Sequence, residues 1–142
     1  MRIVIGITGS SGAVYAREFI KQCDAEKFLV VSKWGKVLLK DELGIGVKEL
    51  LPNVKREFSD DDLSAPIASG SNDIDAVVLL PCSTSTLGKI ASGIGDTLIT
   101  RTAQVALKER FKLVLCIRET PLSTISLEQC ARLSRDGAIS PP

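Results

Sequence analysis

The chain has no histidine among its 142 residues. Histidine is the side chain that titrates closest to neutral pH, and it is a frequent general base and metal ligand. Its absence excludes a Ser–His–Asp triad, an imidazole-ligated metal and any histidine acid or base. A catalytic proton transfer in this protein needs a different group.

Aromatic residues are scarce, at 4% of the chain, whereas hydrophobic residues as a whole make up 44%. A core of Val, Ile, Leu and Ala is typical of parallel sheets that helices cover on both faces. A chain of 142 residues is long enough to bury a sizeable core in one domain. We therefore expect a single domain over residues 1–142.

A charge excess, long apolar runs and paired cysteines are missing as well. The formal net charge of +1 gives no reason to expect nucleic acid or an anionic membrane surface as a partner. No apolar run approaches the roughly 20 residues of a membrane span, and Met1–Gly6 is typical of a strand rather than a signal peptide. The four cysteines form no C-x-x-C pair, which favours free thiols in a reducing cytoplasm over disulfides or zinc ligands.

The chemically useful residues fall in four clusters, each at the end of an apolar run. The runs and their clusters are Val4–Thr8 with Gly9–Gly12, Phe28–Val31 with Ser32–Trp34, Ala76–Leu80 with Pro81–Thr86, and Lys112–Ile117 with Arg118–Pro121. If the runs are parallel strands, all four clusters lie along the edge formed by the strands' carboxyl ends. Open α/β sheets bind their ligands at that edge.

The alternation of these runs with helix-period segments predicts a three-layer, doubly wound parallel sheet with right-handed crossovers. The predicted strands are Arg2–Thr8, Lys27–Ser32, Val54–Phe58, Ala76–Leu80, Lys112–Ile117 and one that opens at Ala138-Ile139. The predicted helices are Gly12–Cys23, Trp34–Leu43, Thr86–Ala91, one from an Asp96 or Thr97 cap to about Phe111, and Ser126–Asp136. The acidic run Ser59–Asp62 is interpreted as a solvated turn or helix start.

Two polar turns at the predicted edge offer hydrogen-bond donors. In Gly6–Gly12 the glycines permit a tight turn, after which the first helical N–H groups and the hydroxyls of Ser10 and Ser11 face outward as anion donors. The alternative is a simple capping turn, because the spacing is not the G-x-G-x-x-G of dinucleotide folds. Ser83–Thr86 supplies four hydroxyls where a helix cap needs only one, so it forms either a cradle for a ring edge or phosphate, or a cap.

Charged and aromatic residues near this edge allow two interpretations each. Arg101 and Lys108 lie seven residues apart on one predicted helix, and therefore on nearly the same face. That face is either a solvated surface or a binding site for an anion. The adjacent Arg118 and Glu119 form either a structural ion pair or an acid/base tuned by its neighbours. Without histidine, Glu119 is the favoured proton-transfer group. Trp34 either packs its helix on the sheet or contacts a ligand bound at the edge.

Several segments of the chain occur in a familiar order. They are Ile5–Ala13, Val31–Lys33, Ala68–Ser71, Pro81–Leu87, Leu98–Arg101, Ala106–Arg110, Arg118–Leu122 and Gly137-Ala138. Together they resemble the UbiX-type flavin prenyltransferases, long described as 3-octaprenyl-4-hydroxybenzoate or phenylacrylic acid decarboxylases. The segments span nearly the whole chain, and Lys-Glu-Arg followed by Arg-Glu-Thr-Pro is the most specific part.

The resemblance implies a flavodoxin-like or Rossmann-like sandwich that binds FMN between the subunits of a homo-oligomer, commonly a dodecamer. It implies transfer of a dimethylallyl group from dimethylallyl monophosphate to reduced FMN, without a metal. The prenylated FMN would serve a UbiD-type decarboxylase. The implied FMN contacts are Gly9, Ser10, Ser11, Ser32, Ser83, Thr84, Ser85, Thr86 and Arg118. The implied phosphate contacts are Lys108, Arg118 and Arg101, and the implied proton-transfer groups are Glu119 and Ser11.

The chain departs from the family pattern at two places. The family continues past Pro-Pro with a loop and helix that supply a tyrosine and an arginine or lysine, and we expect this domain to lack them. Gln104 stands where the family usually has aspartate. Two other functions remain open: an FMN-dependent cysteine decarboxylase, whose relatives use an active-site histidine, and a non-catalytic subunit that binds or delivers FMN.

Overall fold

Helices cover both faces of a five-stranded sheet whose neighbouring strands all run parallel. A computed structural model describes residues 1–141 of the chain. The strands are β1 (Arg2–Ile7), β2 (Glu26–Val31), β3 (Arg56–Ser59), β4 (Ala76–Cys82) and β5 (Lys112–Ile117). They lie in the order β3-β2-β1-β4-β5. The predicted doubly wound α/β fold is confirmed.

Five α-helices connect or follow the strands in the described part of the chain. They are α1 (Ala13–Gln22), α2 (Lys33–Leu43), α3 (Thr84–Ala91), α4 (Leu98–Glu109) and α5 (Thr124–Arg135). Single 3₁₀ turns cover Val47–Glu49, Leu51–Asn53 and Pro66–Ala68. Among residues 1–141, each helix is too short or too polar to traverse a bilayer.

The strands are apolar on both faces because the sheet separates two hydrophobic clusters. Along β1, Val4 packs into the cluster that contains α3 and α4 residues, whereas Ile3 and Ile5 pack into the cluster of α1 and α2. Alternate side chains of a strand point to opposite faces, so each strand feeds both clusters. This explains the continuous apolar runs of the sequence.

Several predicted boundaries differ from the structure for identifiable reasons. Helices α3 and α5 begin two residues before their predicted starts, because Ser83 and Ser123 accept hydrogen bonds from backbone N–H groups of the first turn. Helix α4 ends at Glu109, because Arg110 adopts a left-handed φ of 62°. The strand predicted at Ala138-Ile139 is wrong: Ile139 forms a single parallel bridge with Val114.

The chain changes direction across the sheet between β1 and β4. From β1 it crosses to β2 and β3 on one side, and it then returns to β4 and β5 on the other. The connections that leave β1 and β4 therefore diverge and open a crevice at the carboxyl ends of these neighbouring strands. All four polar clusters lie on this edge, as predicted.

Candidate active site

Thr8 joins the turns that follow β1 and β4. Its side chain, with the residue only 2% exposed, donates a hydrogen bond to the Pro81 carbonyl at 2.8 Å and accepts one from the Ser83 N–H at 2.8 Å. The Thr8 N–H also donates to the Pro81 carbonyl, at 3.2 Å. Thr8 was not among the predicted site residues. The signal for it in the sequence was a hydroxyl-bearing residue at the point where the apolar strand meets the glycine-rich turn.

The turn after β1 does not present the free amides that the sequence predicted. The N–H of Gly12 donates to both carboxylate oxygens of Glu42, at 3.2 and 3.1 Å, and the N–H of Ala13 donates to Glu42 at 2.8 Å. The Ser10 hydroxyl donates to the Arg118 carbonyl at 3.0 Å. The expectation of an anion site on these amides is therefore wrong. A carboxylate from α2 already occupies the positive end of α1.

Glu42, like Thr8, is a residue of this site that the sequence analysis missed. It lies near the end of α2, and α1 has neither an acidic residue in its first turn nor a side chain on its cap Gly12. A helix start without a local acceptor needs one from elsewhere. That deficiency is the only signal in the sequence, and it does not identify which carboxylate will fill it.

The turn after β4 is capped locally. Ser83 accepts a hydrogen bond from the Thr86 N–H at 3.2 Å, and the two hydroxyls lie 2.9 Å apart. One pair of the four predicted hydroxyls thus serves the helix start. Ser83, Ser85 and Thr86 still line a cavity of about 290 Å³, which we call the hydroxyl cavity, together with Gly9, Ser32 and Lys89. Thr84 lies outside it.

Ser32, Lys33 and Trp34 close the hydroxyl cavity on the α2 side. Ser32 caps α2 by accepting from the Gly35 N–H at 3.0 Å. Trp34 is 63% exposed. The start of its side chain lies against Gly9, so that a β-carbon on Gly9 would collide with the β-carbon of Trp34. The indole does not pack the helix on the sheet, so that interpretation of Trp34 is wrong. The ring is instead available beside the cavity.

Asp60 faces the same hydroxyl cavity and holds the start of α4. Its carboxylate accepts a hydrogen bond from the Ile99 N–H at 2.8 Å, and its carbonyl accepts from the Leu98 N–H at 2.7 Å. Burial raises the pKa of this carboxyl, against the lowering effect of the Ile99 amide. The solvated turn predicted for Ser59–Asp62 is therefore wrong at Asp60, although Asp61 is exposed.

A second cavity, of about 550 Å³, lies where β4 and β5 end, and we call it the strand-end cavity. Ser11, Arg118 and Glu119 form its polar part, and its apolar walls include Tyr15, Leu80 and Ile117. Arg118 and Glu119 are both exposed. Within residues 1–141 neither forms an ion pair. The ion-pair interpretation is thus not realised, and both charges face the cavity.

Arg101 and Lys108 lie on one face of α4, as predicted, but away from these two cavities. They line a groove of about 340 Å³ with Gly93, Gly95 and Gln104, which we call the cationic groove. Arg101 donates to the Ala68 carbonyl at 3.3 Å, and Lys108 pairs with Glu109 at 2.6 Å. The Gln104 amide donates to the Ile90 carbonyl at 2.8 Å and so ties α4 to the end of α3. A single chain does not bring these cations to Arg118.

Known proteins are similar to this chain over the whole of its described length. The sequence matches the flavoprotein family over residues 1–141. It is similar to the flavin prenyltransferase UbiX of Thermoplasma acidophilum, with 45% identity over 143 residues that cover 100% of this chain and 79% of the relative. It is 43% identical to the enzyme of the same name from Methanocaldococcus jannaschii, covering 100% of this chain and 78% of that relative.

A solved structure with the same fold contains ligands. The crystal structure of AnUbiX (PadA1) in complex with FMN and dimethylallyl pyrophosphate is similar with a TM-score of 0.96 and 39% identity, covering 99% of this chain and 77% of that one. The dodecameric FMN-dependent UbiX-like decarboxylase from Escherichia coli O157:H7 is similar with a TM-score of 0.93 and 37% identity, covering 100% of this chain and 79% of that one.

Proposed function

Since the chain belongs to the flavoprotein family and, within it, to the UbiX-type flavin prenyltransferases, we propose that it transfers the dimethylallyl group of dimethylallyl monophosphate to reduced FMN. The observation that carries the proposal is the pair of cavities on either side of the Gly9–Ser11 turn. One is rich in hydroxyls, and the other is apolar with a guanidinium and a carboxylate at its polar part.

The donor set of the hydroxyl cavity fits the polar part of FMN. Ser85 and Thr86 offer hydroxyls, and Lys33 adds positive charge for a phosphate. Lys89 also lines the cavity, where it pairs with Asp96 at 2.8 Å. In our assignment Gly9 and Ser10, on the turn that separates the cavities, also contact the flavin, as do Ser32, Ser83 and Thr84. The N–H groups of Ser10, Ser32 and Ser83 already donate within the chain and so hold these turns in place. Reduced FMN supplies the nucleophilic ring atoms that accept the prenyl group.

Arg118 and Glu119 act on the prenyl donor from the strand-end cavity. The Arg118 guanidinium stabilises the departing phosphate as its negative charge grows. Glu119, beside it and without an ion-pair partner within residues 1–141, removes the proton that the flavin ring loses, directly or through the Ser11 hydroxyl. The apolar walls, which include Tyr15, Leu80 and Ile117, contact the dimethylallyl tail.

Arg101 and Lys108 bind the donor phosphate in the site of a neighbouring copy of the chain. They face the cationic groove and not the strand-end cavity of their own chain, whereas their charge suits a phosphate. A homo-oligomer, for which the similar dodecameric decarboxylase is a precedent, can place this groove against the strand-end cavity of the next subunit. The prenylated product then passes to a UbiD-type decarboxylase. Four free thiols suit a reducing compartment such as the cytoplasm.

Formation of prenylated FMN tests the proposal. Purified protein is incubated anaerobically with reduced FMN and dimethylallyl monophosphate, and the flavin is identified by mass after extraction. We expect one added dimethylallyl group, which increases the flavin mass by the corresponding increment. Protein that binds FMN but leaves it unmodified under these conditions contradicts prenyl transfer. That result supports the alternative function, a non-catalytic subunit that binds or delivers FMN.

The contribution of a neighbouring subunit has its own test. Lys108→Ala and Glu119→Gln each inactivate the oligomer in our assignment, but they lie in different cavities of one chain. After dissociation and reassembly, mixed oligomers contain sites that unite an intact Lys108 from one variant with an intact Glu119 from the other. We expect partial recovery of prenyl transfer in the mixture. A mixture as inactive as its components places both residues in one subunit's site.

A further inference from the structure

Tyr15 stands at the rim of the strand-end cavity. It lies in the first turn of α1, where its N–H donates to the Gly12 carbonyl at 3.0 Å. The residue is 58% exposed, although its ring lines the cavity. Among the described residues that line this cavity it is the only aromatic one. Neither the sequence nor the comparisons assigned it a role.

The Tyr15 ring and the Arg118 side chain both come close to Gly12. A β-carbon at Gly12 would lie 3.2 Å from Cδ2 of Tyr15 and 3.9 Å from Cγ of Arg118. Both side chains therefore pass over the same glycine, one with an apolar ring and one with a charged head. Because the Tyr15 backbone is fixed in α1, the ring can leave this place only by rotating about its side-chain bonds.

The volume of the cavity does not by itself limit the length of a prenyl chain. The cavity measures about 550 Å³, within the roughly 300–1,000 Å³ that holds drug-sized ligands. A donor whose phosphate meets Arg118 directs its tail along the apolar walls. In such a space, selection between a five-carbon and a ten-carbon tail requires a side chain that blocks the path.

We propose that the Tyr15 ring is this block and that it selects dimethylallyl monophosphate over longer allylic monophosphates. The inference rests on the proposed function, since it takes the strand-end cavity as the donor site. A rigid aromatic ring is suited to the task, because an extra isoprene unit must displace it or overpack the cavity. The phenol hydroxyl has no part in the block, so phenylalanine serves equally well.

Binding to the protein loaded with oxidised FMN tests the block without any turnover. Dimethylallyl and geranyl monophosphate are titrated separately by calorimetry into the parent, Tyr15→Ala, Tyr15→Phe and Val14→Ala. Val14 is the matched control, because it neighbours Tyr15 on α1, is also exposed and lies outside the cavity lining. Flavin absorbance confirms that each variant is folded and loaded.

We expect the parent, Tyr15→Phe and Val14→Ala to prefer dimethylallyl monophosphate. In Tyr15→Ala, the ratio of the two Kd values shifts toward geranyl monophosphate by about tenfold or more, a discrimination typical of a changed apolar contact. An unchanged ratio in Tyr15→Ala, an equal shift in Val14→Ala, or a parent that binds both donors equally or neither overturns the proposal. If Tyr15→Ala does not load FMN, Tyr15→Leu takes its place, with the same shift expected.

Turnover measurements distinguish failure of the Tyr15 block from failure of the proposed prenyl transfer. The same proteins are reduced, and prenylated flavin is measured with each donor. A parent that binds dimethylallyl monophosphate selectively but transfers nothing contradicts the prenyl transfer, while the shifted Kd ratio of Tyr15→Ala still supports the block. A parent that transfers dimethylallyl and geranyl groups at equal kcat/KM supports the function and contradicts the block.

Discussion

The turns after β1 and β4 occupy equivalent places beside the same crevice, yet they are completed in different ways. Helix α3 is capped by Ser83, the residue immediately before it. Helix α1 follows a glycine and receives its acceptor from Glu42, which is 30 residues away in sequence. A local cap makes a turn self-sufficient. A remote cap makes the turn depend on the packing of α1 against α2.

The two turns also border cavities of different chemistry. The turn after β4 contributes hydroxyls to the hydroxyl cavity, which we assign to binding. The turn after β1 contributes Ser11 to the strand-end cavity, beside Arg118 and Glu119, which we assign to reaction. Substitutions at the two turns test this division of roles.

Replacing Glu119, the proposed base in the strand-end cavity, should separate reaction from binding. Glu119→Gln keeps the shape and hydrogen-bonding reach of the side chain but loses its basicity. We expect prenylated-FMN formation to fall by roughly 100- to 10,000-fold, the usual effect of losing a general acid or base. The Kd for FMN, measured by flavin fluorescence, should stay close to that of the parent.

The matched variant on the other turn is Ser85→Ala, in the hydroxyl cavity. It should weaken FMN binding, while turnover at saturating FMN changes little. If Glu119→Gln works at the parent rate, the substrate phosphate or a serine takes the proton, and the division of roles between the turns is wrong.

A methyl group on Gly12 should distort the turn after β1. Gly12 has a φ of 118°, and its β-carbon would press on Tyr15. We expect Gly12→Ala to lower the free energy of unfolding by about 1–3 kcal/mol, toward the upper end, because strained backbone and displaced neighbours add up. Gly44→Ala is the control, since φ there is 67° with nothing within 4 Å, and it should cost only about 1 kcal/mol. Chemical denaturation that ranks Gly44→Ala as the costlier change would refute the constraint.

The remote cap should be worth more than the local one. Glu42→Ala leaves the buried N–H groups of Gly12 and Ala13 without their acceptor, which costs about 2 kcal/mol of stability. Ser83→Ala removes a single helix cap and costs about 1 kcal/mol. Thermal unfolding in increasing inorganic phosphate then distinguishes them. The anion can replace the missing carboxylate and raise the Tm of Glu42→Ala more than that of Ser83→Ala. Equal gains in Tm would show that α1 has no vacated anion position.

Asp60 should give the smallest and most pH-dependent effect. Burial raises the pKa of its carboxyl above the ordinary 3.8 in the folded protein. The folded state therefore holds this proton more tightly, and the stability from Asp60 is present below pH 3.8 and lost as pH rises through the raised pKa. Asp60→Asn should remove that slope while its oxygen still accepts from Ile99, with a change below about 1 kcal/mol because the group is partly solvated. Urea unfolding at several pH values measures the slope, and Asp61→Asn should reduce it only in part, because burial is the main cause that raises the pKa of Asp60 and the Asp61 charge is a lesser one.

The fold could be predicted because its signals are local. Each strand is a short apolar run, and the polar residue after it marks the carboxyl edge, so parallel pairing brings the clusters together without knowledge of any contact. The same locality explains the shifted helix starts: Ser83 and Ser123 are visible as caps, but a hydroxyl-rich run offers several candidates. The last predicted strand failed because Ile139 finds only Val114 as a partner.

The site was less predictable because its contacts cross the sequence. Nothing in the composition of α2 indicates that Glu42 will reach Gly12, since that depends on how α1 and α2 pack. Arg101 and Lys108 share a helix face, as their spacing indicated, but the face belongs to a groove apart from Arg118. Trp34 follows a buried strand, a position that suggested packing in the core. Helix α2 begins at the Ser32 cap, however, and in its first turn Trp34 is exposed.

The Thr8 hydroxyl bears on the entropy of ligand binding. With both of its hydrogen bonds made inside the protein, the turns after β1 and β4 cannot drift apart as independent loops. A flavin that bridges them meets donors already at their final spacing. Little conformational freedom remains to be lost when it binds, and the affinity of each contact is retained rather than consumed in ordering the loops.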